Sequence, residues 1–346
     1  MKACRLFALL AGLAVLLCGC GPSSLERELI AYQHELADAT GLSPPETSDV
    51  PNIGDFPERR SLTLEIPEVR EGLLDVFALR SCHIANLVAQ RNNQLGKTAA
   101  PSQHWLYELQ LWRRLDHCMN NPAVDSLSPE DRERLARLTE TKTRQLPLAS
   151  YNALVASSEW AGSFSRASAV LDIDELTAVD AQLPALTYLT QAVDRQFDHQ
   201  WQPDSGKLEQ ALKVLRDRPL SAELMRTLQL ATLRLKEANG LLESALGNTS
   251  LPPQASCPLA EKTPSADLLL RQMERLLRQS RRWFSAMDQL LDAHLEGAAE
   301  LQRYRSQWLS PSGADTPLVR FREVLDHHRL LRQQWDQRCV GDRDLR

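Results

Sequence analysis

The chain predicts an all-α fold: an elongated, mostly antiparallel helical bundle with long heptad-patterned helices. Three observations carry this expectation. After Pro219, Leu224, Leu228, Ala231, Leu235, Ala238, Leu242 and Ala245 are spaced 4, 3, 4, 3, 4, 3. After Pro264, Leu269, Met273, Leu276, Ser280, Trp283, Met287, Leu290, His294, Gly297, Leu301, Tyr304 and Trp308 hold the same alternation. A second row at Leu270, Leu277, Phe284, Leu291 and Ala298 widens that stripe, the 3.5-residue period of a bundle helix. Third, the two-residue period of a strand is confined to one short stretch, Leu62, Leu64 and Ile66, closed by Pro67.

Taken in order, the elements begin with Lys2 and Arg5 ahead of the apolar run Leu6 to Leu17. The run is too short for a bilayer, which needs about twenty residues, and has the layout of a secretory signal. It ends in Leu17-Cys18-Gly19-Cys20, which resembles a bacterial lipobox. The resemblance implies cleavage after Gly19 and diacylglycerol on the Cys20 thiol. With Gly21 rather than Asp next, it implies residence on the inner leaflet of an outer membrane. Several acyl chains on one residue make a firm anchor, at about 0.8 kcal/mol per buried methylene. Leu25, Leu29, Tyr32 and Leu36 predict a helix over 21–42, and residues 43–60, rich in Pro, Asp and Ser, predict a linker. Ser61 to Ile66 reads as an edge strand or an extended segment laid on the bundle.

Helical patterns over 68–95 and 102–120 predict a hairpin about Gly96–Pro101. Ser128-Pro129-Glu130-Asp131 is a helix start, with an N-cap serine, proline at the first position and acids in the first turn. That helix is expected to run to about 145. Shorter helices over 147–161 and 184–200 flank a Ser/Gly/Ala-rich interruption at Ser157–Ser168. Ser310-Pro311-Ser312-Gly313 stops the long stripe, and 316–339 forms a last helix. The expected organisation is a signal peptide over 1–19, a lipid-anchored segment with linker over 20–67, and a helical domain over 68–346.

Besides Cys20, the exported chain keeps Cys82, Cys118, Cys257 and Cys339, which suggests two disulfides. Cys82 lies 14 residues before Gly96 and Cys118 lies 17 after Pro101. At 1.5 Å per residue these are about 21 and 25 Å from the hairpin turn, so the thiols come level within about one turn. Cys82–Cys118 is the preferred pair, and Cys257–Cys339 follows by elimination. The second pair requires the stretch 251–264 to double back, because Cys339 sits about 35 Å up the last helix.

Removal of residues 1–19 takes two basic residues and moves the formal charge from −5 to −7. Such a chain lacks the positive field of a general nucleic-acid binder. No metal or cofactor is expected. Cys82-His83 and His117-Cys118 suggest a zinc site only superficially, since adjacent helical residues point about 100° apart. His327-His328 shares that problem, and His294 falls on the inner stripe as a core residue. Glu159, beside Trp160, and the cluster Asp172-x-Asp174-Glu175 are the acids an envelope enzyme could use, though the cluster also has the form of a helix's first turn. Arg271, Arg275, Arg278 and Arg282 fall within about 60° on a helical wheel, opposite the apolar stripe. They make either a solvated face or a docking stripe for phosphates or an acidic partner.

The segment from Cys82 to Lys97, with Pro101-Ser102-Gln103 and Tyr107-Glu108 after it, carries an Arg-Asn-x-x-Leu-Gly-Lys turn. Together with the lipobox it resembles an uncharacterised family of proteobacterial lipoproteins, domain of unknown function 3080. The resemblance implies a lipoprotein and no particular activity. Gln90 stands where that family more often has an acid, which removes acid chemistry from that position. Arg91, Asn92 and Asn93 read as a polar helix end before a Leu-Gly terminator and as a candidate binding turn. The expected function is a periplasm-facing scaffold or adaptor that binds a protein or envelope component. An envelope enzyme for a glycan or peptide, or a carrier of an apolar ligand, is the alternative.

Overall fold

The computed structural model describes residues 23–247, 263 and 265–341, all-helical among those residues apart from loops. Cys20, Cys257 and the side chain of Cys339 lie outside them, and with them the lipidation site and the second disulfide. No helix of the described residues is long and apolar enough to cross a membrane.

The elements are α1 (Ser24–Thr40), α2 (Arg59–Leu62), α3 (Leu73–Ala78), α4 (Ala85–Asn92), α5 (Gln94–Lys97), α6 (Pro101–Met119) and α7 (Pro129–Leu154). They continue as α8 (Ser158–Gly162), α9 (Thr177–Asp194), α10 (Ser205–Asp217), α11 (Leu220–Gly247), α12 (Ala266–Asp292), α13 (Ala299–Tyr304) and α14 (Pro317–Gly341). The heptad rows on α11 and α12 are buried as their spacing requires, from Leu224 to Ala245 and from Leu269 to Leu290. Leu25, Leu29, Tyr32 and Leu36 bury the inner face of α1. Neighbours α12 and α14 are antiparallel, whereas α11 and α14 run in the same direction, with Asn239 facing His328 and Arg338 donating to the Leu246 carbonyl.

Several boundaries move. Residues 68–95 are not one helix: an extended stretch leads into α3, a 3₁₀ turn at Arg80–Cys82, and α4. The helix begun at Ser128 does not stop near 145 but continues to Leu154 with Pro147 inside it. Leu138, Leu146, Tyr151 and Leu154 are buried along it, and their packing outweighs the roughly 3 kcal/mol cost of an interior proline. Pro184 lies inside α9 in the same way. The forty-residue stripe breaks at Asp292, where residues 293–298 turn the chain before α13. Leu301 and Tyr304 regain the core after the turn, so the stripe survives while the axis changes. A π-helical turn, Arg305–Leu309, follows.

The linker expected over 43–60 is instead a strap packed along the bundle, leading into α2 at Arg59. Ile53 is buried, Phe56 stacks on Phe164 at 4.3 Å, and the Ser48 backbone N–H donates to Glu237. A Cβ on Gly54 would lie 2.6 Å from the Trp308 ring, so only glycine lets the strap pass. From Thr63 to Ile66 the second expected form holds, an extended segment laid on the bundle rather than an edge strand. The short helix α2 is followed by extended chain, whose Leu64 N–H and C=O are both bonded by the Asn152 amide at 2.8 Å. One side-chain amide does the work of a neighbouring strand.

The described residues form two hydrophobic clusters. The main one spans α1, the strap and α6 to α14, and includes Trp105, Trp160, Trp283, Phe284 and Phe321. The smaller one comprises Leu79, Cys82, Ile84, Leu87, Leu111, Leu115, Cys118, Leu135 and Leu138. A Cys82–Cys118 disulfide, with Cα atoms 5.2 Å apart, staples it. The preferred pairing is therefore correct, although Cys82 reaches its partner from a 3₁₀ turn rather than from a helix level with α6.

Candidate functional site

The junction of the two clusters leaves a cleft of about 730 Å³. Its floor is apolar, from Val69, Val76, Ile84, Val88, Leu111, Leu115 and Leu138. One wall is the extended chain from Thr63 to Glu71, held by side chains of α7. Gln145 donates its Nε2 to the Pro67 carbonyl at 2.7 Å, and Asn152 grips Leu64. Arg134, largely buried, lies 2.9 Å from Asp75 and also reaches Asp131 and Glu71, so the end of the wall is tied to α7 by charge.

The opposite side is the polar turn that the sequence singled out. Helix α4 ends at Asn92, and Asn93 caps the next turn, its Oδ1 accepting from Gly96 N–H at 2.8 Å. The turn is therefore a cap for α5 rather than a terminator for α4, and Asn93 is used up in it. A Cβ on Gly96 would fall 2.1 Å from the Gln90 carbonyl oxygen, so a glycine is obligatory there. The Gly96 carbonyl accepts from Arg91 Nη1 at 3.2 Å and from His104 Nε2 at 2.9 Å, which fixes both side chains at the cleft. Arg91 also lies 6.0 Å from the Tyr107 ring centroid. Burial pushes the Tyr107 phenol up to about 12, so it remains a neutral donor.

Deeper in, Lys142 and Glu108 pair at 2.8 Å and neutralise one another. Arg70 pairs with Glu68, and Glu71 faces Arg134 and Arg137. Arg91 and Lys97 have no carboxylate within ion-pair distance among the described residues. Two nine-tenths-buried lining residues carry an unpartnered polar atom: the Trp105 Nε1–H donor and the Gln145 Oε1 acceptor. Buried polar groups are rarely left unpaired, and each costs about 1–3 kcal/mol if nothing meets it. The cleft itself combines an apolar floor with a basic rim, and these two atoms are closed off behind it.

The other expected residues fall elsewhere. Arg271, Arg278 and Arg282 are exposed along the outer face of α12, with Arg275 half-buried among them. Arg282 pairs with Asp180 of α9 and Arg278 lies 3.8 Å from Glu274, so half of the stripe is already neutralised. Glu159 lies 3.7 Å from Arg216. Asp172 and Glu175 form a capping box, and Ser24 donates to Asp172, pinning the start of α1. These acids serve packing and caps. His327 meets Glu243, and His328 is buried between Tyr32 and Asn239. Among the described residues no three His, Cys, Asp or Glu side chains converge to hold a metal ion. Trp105, Gln145, His104 and Lys142 escaped sequence reasoning because they come from separate turns of α6 and α7. Lys97, Tyr107 and Glu108 were within the stretch that carried the family resemblance, which was the available signal.

Fold and cleft together define an all-α protein with a ligand-sized recess between a large core and a disulfide-stapled small one. The chain belongs to the family described as Protein of unknown function (DUF3080), whose model matches residues 29–339. No curated protein and no solved structure matches it.

Proposed function

We propose that this is a lipid-anchored, periplasm-facing binding protein, an adaptor that takes part of an envelope component into the cleft between its two cores. The observation that carries the reading is the cleft itself: its volume, its apolar floor and the unneutralised Arg91 and Lys97 on its rim. Binding recesses favour such junctions and such mixtures of apolar surface with a few placed polar groups. The lipobox ending at Cys20 supports the anchor and the address, the inner leaflet of an outer membrane. Binding is favoured over catalysis because the cleft's acids Glu68, Glu71 and Glu108 are tied to Arg70, Arg134 and Lys142, and its histidine to the Gly96 carbonyl.

Two measurements test this in living cells. Alkyne-tagged palmitate is expected to label the native protein and not a Cys20→Ser variant. A photo-crosslinking p-benzoylphenylalanine at the position of Asn92, on the cleft rim, should give a defined adduct with an envelope component. The same group at Arg278 should not. Adducts at Arg278 alone would move the binding surface to α12 and overturn the assignment.

A further inference from the structure

Resting on that cleft assignment, we infer the class of ligand it takes: a single acyl chain bearing an anionic head. The lining charges select the head. Glu68 pairs with Arg70, Glu108 with Lys142, and Glu71 with Arg134 and Arg137 of α7. Three lining cations are left over, Arg59, Arg91 and Lys97, none with a carboxylate within ion-pair distance among the described residues. The whole chain carries a formal charge of −5, so the cleft holds a local excess of positive charge on an acidic protein. The planar Arg91 guanidinium, held by the Gly96 carbonyl at 3.2 Å, suits two oxygens of a carboxylate or a phosphate.

The cleft is basic at one end and apolar at the other, which selects the tail. Trp112 bonds Thr143 at 2.9 Å and fixes the register of α6 on α7. Both walls keep step with that helix pair. On one, Leu64 lies at Asn152 and Glu71 at Arg134. On the other, Gly96 lies at His104, Arg91 at Tyr107 and His83 at Arg114. Arg59 precedes Leu64, so the three free cations gather where α6 begins and α7 ends. Half-buried Val69, Val76 and Val88 lie toward the opposite end, with Leu115 and Leu138 beneath them. His104 and Leu115 are about 16 Å apart along α6, a run that one chain can follow from head to tail. The amides along it are already spent: Gln145 Nε2 on the Pro67 carbonyl, and both polar atoms of Asn152 on Leu64. A peptide would bring an N–H and a C=O at every residue with few side chains to meet them, whereas methylenes need none.

The test uses the full chain without its signal peptide, with its disulfide intact and its valine methyls labelled by ¹³C. Four probes are titrated below their micellar concentrations: laurate, lauroyl lysophosphatidylglycerol, uncharged monolaurin, and glycerol phosphate as a head without a tail. At least one of the two anionic chains should bind and shift the Val76 and Val88 methyl signals, assigned by their loss in Val76→Ala and Val88→Ala. Monolaurin should bind at least tenfold more weakly than that chain, and glycerol phosphate should leave both signals in place. Arg59 and Lys97 are exposed and carry no side-chain bond that the fold needs. Arg59→Gln combined with Lys97→Gln should therefore erase the tenfold preference and leave the spectrum of the free protein unchanged. The tighter of the two anions tells a carboxylate head from a phosphate head. Equal binding of charged and uncharged chains, stationary valine methyls, or a preference that survives the double variant would overturn the ligand class. A defined crosslink at Asn92 obtained alongside such a failure would leave the cleft assignment standing and refute the acyl ligand alone.

Discussion

Arg234 shows how much one side chain holds together. It is 2% exposed and sits where α1, α11 and the strap meet. Its guanidinium donates to Glu26 at 2.8 Å, to Glu237 at 2.9 Å and to the Ser48 carbonyl at 2.8 Å. Arg234→Ala strands two carboxylates and a carbonyl in a poorly solvated site, at an expected cost of about 3–5 kcal/mol. Chemical denaturation should show that loss, and limited proteolysis should cut earliest within residues 43–58; an unchanged cleavage pattern would show that the strap does not depend on Arg234. His328 carries the second test. Its Nδ1–H faces Asn239 Oδ1 at 2.6 Å, and Nε2 accepts from the Tyr32 hydroxyl at 2.8 Å, a neutral tautomer with both nitrogens used. Burial holds His328 down at about 3, and burial holds His294 down at about 4. In the unfolded chain both titrate near 6.5. Their contribution is therefore complete above pH 6.5 and fades as the pH falls toward 4 and then 3. The slope is about 1.4 kcal/mol per pH unit for each histidine that remains neutral. Denaturation midpoints at pH 7 and 4.5 should differ steeply in the wild type. In His328→Leu the pH difference should shrink, while stability at pH 7 falls by about 2–4 kcal/mol from the orphaned Tyr32 and Asn239.

At the scale of elements, the disulfide is the device that makes the second core. The small cluster is too poor in apolar residues to order α3, the 3₁₀ turn and α4 unaided, and it lines one side of the cleft. The bond closes a loop with a sequence separation of 36. Replacing both cysteines by serine should cost about 2–4 kcal/mol, most of it from the unfolded chain's regained freedom. The loss should be local: amide exchange should quicken at residues 79–92 and not on α11 or α12. Uniform quickening would mean that the two cores unfold as one. The same pair of elements shows what sequence could and could not tell. Cys82–Cys118 was legible because a turn at Gly96 and simple arithmetic on rise per residue bring the thiols level. The broken path of 68–95 was not, since its polar and apolar residues fit a helix locally while the disulfide and the Arg134 charges favour a folded-back course. Pro147 misled for the converse reason: a local breaker was overruled by buried neighbours on α7.

For the whole molecule, the helical class and the long rows of α11 and α12 could be read directly, because heptad spacing is a property of nearby residues. The cleft could not. Its parts lie at residues 59–88, 91–115 and 138–153, and only the packing of α6 on α7 brings them to one place. Arg91 and Asn92 were picked out as a polar turn, and that turn does face the cleft, whereas Asn93 is spent on capping. The arginine stripe of α12 was visible as a pattern, yet Asp180 and Glu274 from the structure neutralise part of it, which only the fold could reveal. The proposed recognition surface is therefore the junction of the two cores rather than the outer helices. Hydrogen exchange of the intact protein, with and without a detergent extract of its own cell envelope, separates these surfaces in one measurement. Protection confined to residues 63–71 and 91–108 is the predicted result; protection confined to 271–282, with the cleft segments unchanged, would contradict it.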